Sequence, residues 1–246
     1  MKTFRILITL SLGLFLFTFS ACEQEQITPD EPENQAQQQE AMSEDEAVEA
    51  ITKSIATEDE GMSAEANEAI TSTDAYAKSL NCGDSGDTSF VHSYQNDYVT
   101  ATYNIQKSWE LICENGMPVT LHLERSVEGQ SETPQATTEG NSLTLMDVTH
   151  LLSPNFVIVN GTRDAAHTRT SVENPDMWLS TTMSMNFIDI KVKRAPDPQI
   201  LAGEATFVLE AANSNGDSRT FEGNIIFLGD QTAVLTINGH SRIISW

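Results

Sequence analysis

Residues 99–127 read VTATYNIQKSWELICENGMPVTLHLERSV and alternate apolar with polar side chains on both sides of Asn115-Gly116. On the first side Val99, Ala101, Tyr103, Ile105, Trp109, Leu111 and Cys113 share one parity. Such alternation is typical of strands with one buried and one wet face. Asn-Gly between two alternating runs is the strongest short hairpin signal. The stretch therefore predicts a long antiparallel hairpin.

The alternation continues to the end of the chain. Further strands are predicted around 143–148, 156–162, 178–192, 205–211, 221–227, 233–237 and 243–246, with a looser stretch at 164–176. The apolar parity switches within 178–192, which indicates a bulge near Phe187-Ile188. We therefore expect residues 80–246 to form an all-β domain, an antiparallel hairpin meander of about eight or nine strands. Both a two-sheet sandwich and a curved half-barrel fit this pattern.

The segment before the β domain has a different composition. Residues 23–42 contain mainly Gln, Glu, Asn and Pro, which predicts a disordered acidic tether. Residues 43–79 are expected to form an arm of one or two short helices. Ser43 and Glu46 match a capping box, and Val48, Ile51 and Ile55 follow at helical spacing. Because this apolar stripe is thin, we expect helices that dock weakly or stay partly frayed and act as a solvated spacer; a partner-binding arm is the alternative.

The first 22 residues have the layout of a secretory signal. Lys2 and Arg5 precede the apolar run Ile6–Phe19, and small residues come directly before Cys22. Phe19-Ser20-Ala21-Cys22 resembles the lipobox of bacterial lipoproteins, although that family usually has Leu where Phe19 stands. The resemblance implies that residues 1–22 are a signal peptide ending at a lipidated Cys22; a transmembrane anchor or an ordinary cleaved signal is the alternative. It also implies an outer-membrane lipoprotein whose membrane contact is its N-terminal lipid.

Two further resemblances concern location and fold. Glu23-Gln24-Glu25-Gln26 resembles an export signal for the cell surface that some bacterial lipoproteins carry, and a plain acidic tether is the alternative. Residues 82–246 resemble uncharacterised β-rich lipoproteins of the bacterial envelope. The matching region contains no catalytic motif, so the resemblance implies no reaction.

The chain contains three cysteines. If Cys22 is lipidated, Cys82 and Cys113 remain, and an oxidising envelope favours a disulfide between them. Two reduced, buried cysteines are the alternative.

The net charge of −23 makes a nucleic-acid partner improbable on electrostatic grounds, because such a field repels phosphate backbones. Residues 23–79 alone carry 16 acidic and two basic side chains.

Four arrangements of residues were weighed as functional sites. Cys82-Gly83-Asp84-Ser85-Gly86 resembles a serine-protease nucleophile loop, and Ala165-Ala166-His167 resembles a histidine segment. Their order in the chain differs from that family, so a turn is favoured.

The histidines lack metal-type spacing; they are His92, His122, His150, His167 and His240. Oxygen ligands for calcium occur on two turns, with Asp84 and Asp87 on one and Asn213, Asn215 and Asp217 on the other, where turn formation is the simpler explanation. Aromatic residues suggest a stacking surface or a filled core; they are Tyr94, Tyr98, Tyr103, Trp109, Trp178 and Trp246.

We therefore expect a non-enzymatic, envelope-anchored module that binds or scaffolds an envelope protein, a glycan or a lipid, without catalytic residues, a metal or a cofactor. A carrier that holds an apolar ligand within a curved sheet is the alternative, and an envelope hydrolase is a weaker one. The oligomeric state is left open by the sequence.

Overall fold

The fold is described from a computed structural model of the chain. It describes residues 41–56, 61–63, 65–66, 70, 81–194 and 198–246. The predicted signal peptide, Cys22 and nearly all of the predicted tether lie outside these residues.

One helix and ten strands make up the described elements. The helix α1 spans Glu44–Ile55. The strands are β1 Ser85–Gln95, β2 Thr100–Glu114, β3 Met117–Glu132, β4 Ala136–Thr149, β5 Phe156–Ser171, β6 Trp178–Lys193, β7 Ile200–Asn213, β8 Ser218–Gly229, β9 Thr232–Ile237 and β10 His240–Ser245.

The ten strands form one antiparallel sheet in which each strand pairs with its sequence neighbours, from β1 at one edge to β10 at the other. The predicted all-β antiparallel meander is confirmed. Because all strands belong to one open sheet, the two-sheet sandwich is excluded.

Several strands are longer than the sequence predicts, and the largest departures are β1 and β5. β1 was not predicted as a strand, because its apolar residues Phe90, Val91 and Tyr94 do not alternate and all three are exposed. β5 continues to Ser171 through most of the stretch predicted to be loose. An edge strand that is exposed on both faces lacks the period-two signal on which the prediction depended.

Both Asn-Gly pairs turn hairpins as predicted. Asn115 and Gly116 have φ of 52° and 78°, and Asn238 and Gly239 have φ of 47° and 86°. Two successive residues with positive φ are what a tight primed turn requires, and Asn and Gly adopt them at the lowest cost.

The predicted bulge in β6 is also present. The pairing of β6 with β7 shifts after Ile188, and Asp189 has φ of 50°. Buried side chains change parity across this point, from Met185 and Phe187 to Ile190 and Val192. The bulge therefore keeps apolar side chains of both halves of β6 on the buried face.

The helix α1 covers this buried face of the sheet. Ala47, Ile51 and Ile55 are 0% exposed and belong to one hydrophobic cluster with residues of β2 to β10. The interpretation of the arm as a solvated spacer is therefore wrong. A narrow stripe suffices because the sheet below already presents a wide apolar surface to it.

Polar contacts hold the N-terminal turn of α1 in place. The capping box is formed: the Ser43 amide donates to Glu46 Oε2 at 2.8 Å, and the Glu46 amide donates to Ser43 Oγ at 3.3 Å. Arg242 of β10 donates to Glu44 Oε1 at 2.6 Å and to Asp45 Oδ1 at 2.8 Å. These contacts anchor the first turn of α1 to the edge of the sheet opposite β1.

A second set of helical residues packs on the same face. Met62, Ser63, Glu65, Ala66 and Ile70 are helical and buried. They lie within residues 43–79, the predicted helical arm.

None of the helices in the described part of the chain is long and apolar enough to cross a membrane.

Candidate functional site

The predicted disulfide is present. Cys82 and Cys113 are bonded, with their Cα atoms 5.5 Å apart. The bond joins the segment before β1 to the end of β2, next to the backbone pairing of Gly83 and Asp84 with Leu111. It therefore fastens β1 to β2.

The protease-like residues are not brought together. Ser85 begins β1 opposite Glu110, whereas His167 is aligned through Gly140 and Gly129 with Tyr103. By strand parity, Ser85 lies on the face away from α1 and His167 on the face that carries it. This placement separates Ser85 from His167.

The five histidines are dispersed. His122 Nδ1 lies 2.8 Å from Asp147 Oδ1 on the open face, His150 stacks with Phe156 in a turn, and His240 is 3.7 Å from Glu44. Within the described ranges no group of three or more His, Cys, Asp or Glu side chains is arranged to hold a metal.

In the two turns considered as calcium sites, side-chain oxygens accept hydrogen bonds from backbone amides of the same turn. Asp84 Oδ2 accepts from the Asn81 amide at 2.8 Å. Asn213 Oδ1 accepts from the amides of Asn215 and Asp217 at 3.0 and 3.1 Å. Turn formation accounts for these residues.

The six aromatic residues do not form one surface. Trp246 packs edge-on against Phe227, with ring centroids 5.7 Å apart, and Trp109 lies half-buried against the core. Tyr94 and Tyr98 are exposed near the turn between β1 and β2. The aromatics thus divide between core and edge.

A buried ion cluster lies where the helical residues meet the middle of the sheet. Glu65 Oε1 accepts from Arg125 Nη1 at 3.0 Å, from Arg163 Nη1 at 2.5 Å and from Thr144 Oγ1 at 3.0 Å. Glu65 is 2% exposed, and the two arginines are 5% and 9% exposed. Two guanidinium groups share one carboxylate, and the cluster fixes where the helical residues dock on β3, β4 and β5.

Sequence reasoning missed this cluster, although one signal for it was present. Arg125 occupies the apolar parity of β3, between Leu123 and Val127. A charged residue at a core-facing position requires a buried partner. Which acid supplies it is decided by the tertiary fold.

A concavity lies on the other face of the sheet, which α1 does not cover. It has a volume of about 580 Å³ and crosses β2 to β5. We call it the polar concavity, and by strand parity the following side chains face it: Thr102, Asn104, Glu128, Gln130, Glu139, Asn141, Ala166 and Thr168.

A pair of glycines forms the floor of the polar concavity. Gly129 and Gly140 are direct partners in the β3–β4 ladder. On the face of α1, the Tyr103 ring lies over Gly129 and the His167 ring over Gly140, in space that side chains at these positions would fill. Two adjacent glycines allow the rings to close over the sheet at this point.

His167 is the titratable group that this arrangement perturbs. Burial against its neighbours lowers the pKa of His167, and the positive charge of Arg163 lowers it further. The His167 side chain is nevertheless exposed, so water reaches the ring and screens both effects.

The polar concavity is equipped to bind hydroxyl groups. It presents two carboxylates, three amides and two hydroxyls, and it is lined by neither Lys nor Arg. Apart from a 3.4 Å bond from Thr168 to Ser180, these polar side chains form no hydrogen bonds with other residues in the described part of the chain. Their donors and acceptors are therefore available to a ligand.

Comparison of the chain with protein-family models, with curated proteins and with solved structures gives no match.

Proposed function

We propose that this chain is an envelope-anchored lipoprotein whose β domain is a non-enzymatic binding module for a neutral, hydroxyl-rich ligand such as a glycan. The observation that carries the ligand class is the polar concavity on the open face of the sheet. The anchor rests on the lipobox resemblance at Cys22.

The size and chemistry of the concavity support this ligand class. Its volume of about 580 Å³ falls within the range of about 300–1,000 Å³ that is usual for small-molecule sites. Carboxylates and amides accept from and donate to sugar hydroxyls. Glu128 and Glu139 also make the site repel anions, which favours a neutral ligand over a phosphorylated or sulfated one.

The packing of the other face favours this function over the carrier. Large side chains fill the interior between the helical residues and the sheet, among them Phe187, Phe221, Leu209 and Ile237. The polar concavity is lined by polar groups, whereas an apolar ligand needs an apolar lining.

The setting of the two carboxylates favours holding a ligand over cleaving it. Glu128 and Glu139 lie on neighbouring strands and are both exposed. Enzymes that cleave glycosides usually bury one carboxyl group so that it stays protonated. Neither of these side chains is buried in that way.

The binding proposal is tested with the full chain and a panel of soluble oligosaccharides by calorimetry. We expect a neutral oligosaccharide to bind to the native protein and sulfated oligosaccharides of the same length not to bind. Asn141→Leu should weaken binding at least about tenfold, since a lost polar partner in a site commonly costs 1–3 kcal/mol. Asn186→Leu is the matched control, because Asn186 is exposed on the same face but outside the concavity.

Equal losses in the two variants, or no binding to any neutral oligosaccharide in the panel, would contradict the proposal.

A further inference from the structure

The exposed edge strand β1 is the second feature that calls for a partner. It has eleven residues, and all of them except Gly86 are exposed. The opposite edge, β10, has only six residues. A long edge strand offers an unpaired row of backbone donors and acceptors.

β1 lacks the devices that usually protect such an edge. It contains no proline, no lysine and no arginine, and its pairing with β2 shows no register shift. Phe90, Val91 and Tyr94 are 43%, 63% and 50% exposed. Exposed apolar side chains on an unprotected edge are typical of a strand that pairs with another chain.

The pairing with β2 shows which backbone groups of β1 point outward. The Leu111 amide donates to the Asp84 carbonyl, and the Asn96 amide donates to the Val99 carbonyl. Hydrogen-bonded pairs alternate along an antiparallel ladder. The even-numbered residues between these points therefore bond to β2, and the outward groups belong to Asp87, Ser89, Val91 and Ser93.

We propose that β1 pairs antiparallel with β1 of a second copy of this chain, centred on Phe90, to form a twofold-symmetric dimer with one continuous sheet. This register pairs all eleven residues of both strands. It sets the outward groups of Ser89 opposite those of Val91 of the other copy, and those of Asp87 opposite those of Ser93. About a dozen backbone hydrogen bonds form in this way.

The side chains of β1 suit this register. The two copies of Phe90 face each other at a non-hydrogen-bonded position, where opposite side chains come closest. Tyr94 lies opposite Gly86, the residue without a side chain, and His92 lies opposite Thr88. Aromatic contact at the centre and space for Tyr94 at each end make the strand complementary to itself.

The few charges of β1 permit two copies to pair, although the chain as a whole is strongly acidic. Asp87 is its one carboxylate, and in this register it faces Ser93. The two copies of Asp87 lie six residues apart along the ladder, or about 20 Å. That distance exceeds the Debye length of about 8 Å at physiological salt, so their repulsion is largely screened.

The dimer is closed. Pairing uses β1 of both copies and leaves the two short β10 strands as outer edges, so the same contact cannot add a third copy.

Cross-linking of the full chain in a bacterial envelope tests the register. Phe90→Cys places two thiols across the twofold axis at a spacing that suits a disulfide. We expect a covalent dimer on non-reducing electrophoresis that disappears with reductant. Tyr98→Cys is the matched control, because Tyr98 is 74% exposed but lies off the axis, and it should stay monomeric.

Absence of the dimer for Phe90→Cys, or equal dimer yields for Phe90→Cys and Tyr98→Cys, would overturn the proposal.

Sedimentation of the purified full chain provides a test that needs no thiol. The native protein should have twice the mass of the chain. Ser89→Pro removes only an outward amide and should halve that mass, whereas Ser241→Pro on β10 should leave it unchanged. A monomeric native protein, or a dimer that Ser89→Pro does not affect, would overturn the proposal.

Discussion

At the scale of single residues, Glu65 links the helical residues to three strands of the sheet. It is a buried acid whose partners lie 60, 79 and 98 positions away in the chain. No local pattern could connect these residues, because each pairing depends on the order of the strands. A buried ion cluster of this kind is costly to disrupt, since removal of one member leaves the others as uncompensated charges.

We expect Glu65→Ala to lower the free energy of unfolding by about 3–5 kcal/mol, because it leaves Arg125 and Arg163 buried without their shared carboxylate. Urea denaturation measures the change. Glu49→Ala is the matched control: Glu49 pairs with Lys53 on the solvent side of α1, and its removal should have little effect. Similar losses for both variants would show that the cluster does not stabilise the fold.

His167 predicts a pH dependence with a definite sign. Its pKa in the folded protein lies below the ordinary value of about 6.5. The unfolded chain therefore binds the proton more readily, so His167 lowers stability as the pH falls below about 6.5 and has no effect well above it.

Two measurements check this. The ring of His167, followed by NMR, should titrate below about 6.5. His167→Gln should lose less stability than the native protein between about pH 7 and about pH 5. A raised titration midpoint would contradict the expectation.

At the scale of elements, the helix α1 shows where pattern reading reached its limit. Its capping box and apolar spacing were readable from the sequence. Its docking on the sheet was not predictable from the sequence. Whether the narrow stripe of Ala47, Ile51 and Ile55 is buried depends on the width of the apolar surface that it packs against. The hairpins were predictable for the converse reason: Asn-Gly turns and period-two alternation are local.

Ile51→Ala should lower the free energy of unfolding by about 2–5 kcal/mol, as expected for a buried isoleucine. Urea denaturation measures the change. Lys53→Ala, on the exposed side of the same helix, should change it by at most about 0.5 kcal/mol. If the two variants were equally stable, α1 would not be packed on the sheet in solution.

The disulfide belongs to the same scale, since it fastens β1 to β2. Cys82 and Cys113 are 31 positions apart, and a loop of that length corresponds to about 3–4 kcal/mol of stabilisation. The double substitution Cys82→Ser and Cys113→Ser should lower stability by about this amount. Reductant should reduce the stability of the native protein to that of the double variant, and should not affect the double variant itself.

At the scale of the whole molecule, the sequence predicted the fold class but missed one strand and the cover of one face. Nine of the ten strands were found because one of their faces is buried. β1 was missed because both of its faces are exposed, and the polar concavity was missed because its residues come from four strands. The features that were missed depend on contacts between residues far apart in the chain, which local sequence patterns do not reveal.

The proposed anchor is also a property of the whole molecule, and mass spectrometry of the protein from a bacterial envelope tests it. We expect a mature chain that begins at an acylated Cys22, and Cys22→Ser should release the protein from the membrane fraction. A native chain that keeps residues 1–22, or that has a free thiol at Cys22, would contradict the prediction.

The contact between Arg242 and Glu44 spans 198 positions of the chain. During synthesis the arm is made first, yet the surface that covers Ile51 and Ile55 is completed only when β9 and β10 have been made. The meander can fold one hairpin at a time, but α1 can form all of its contacts only after the last hairpin has folded. A chain cut short before residue 240 would keep most of its strands and lose the anchor for α1. A protease would then cleave the undocked helix more readily than the docked one.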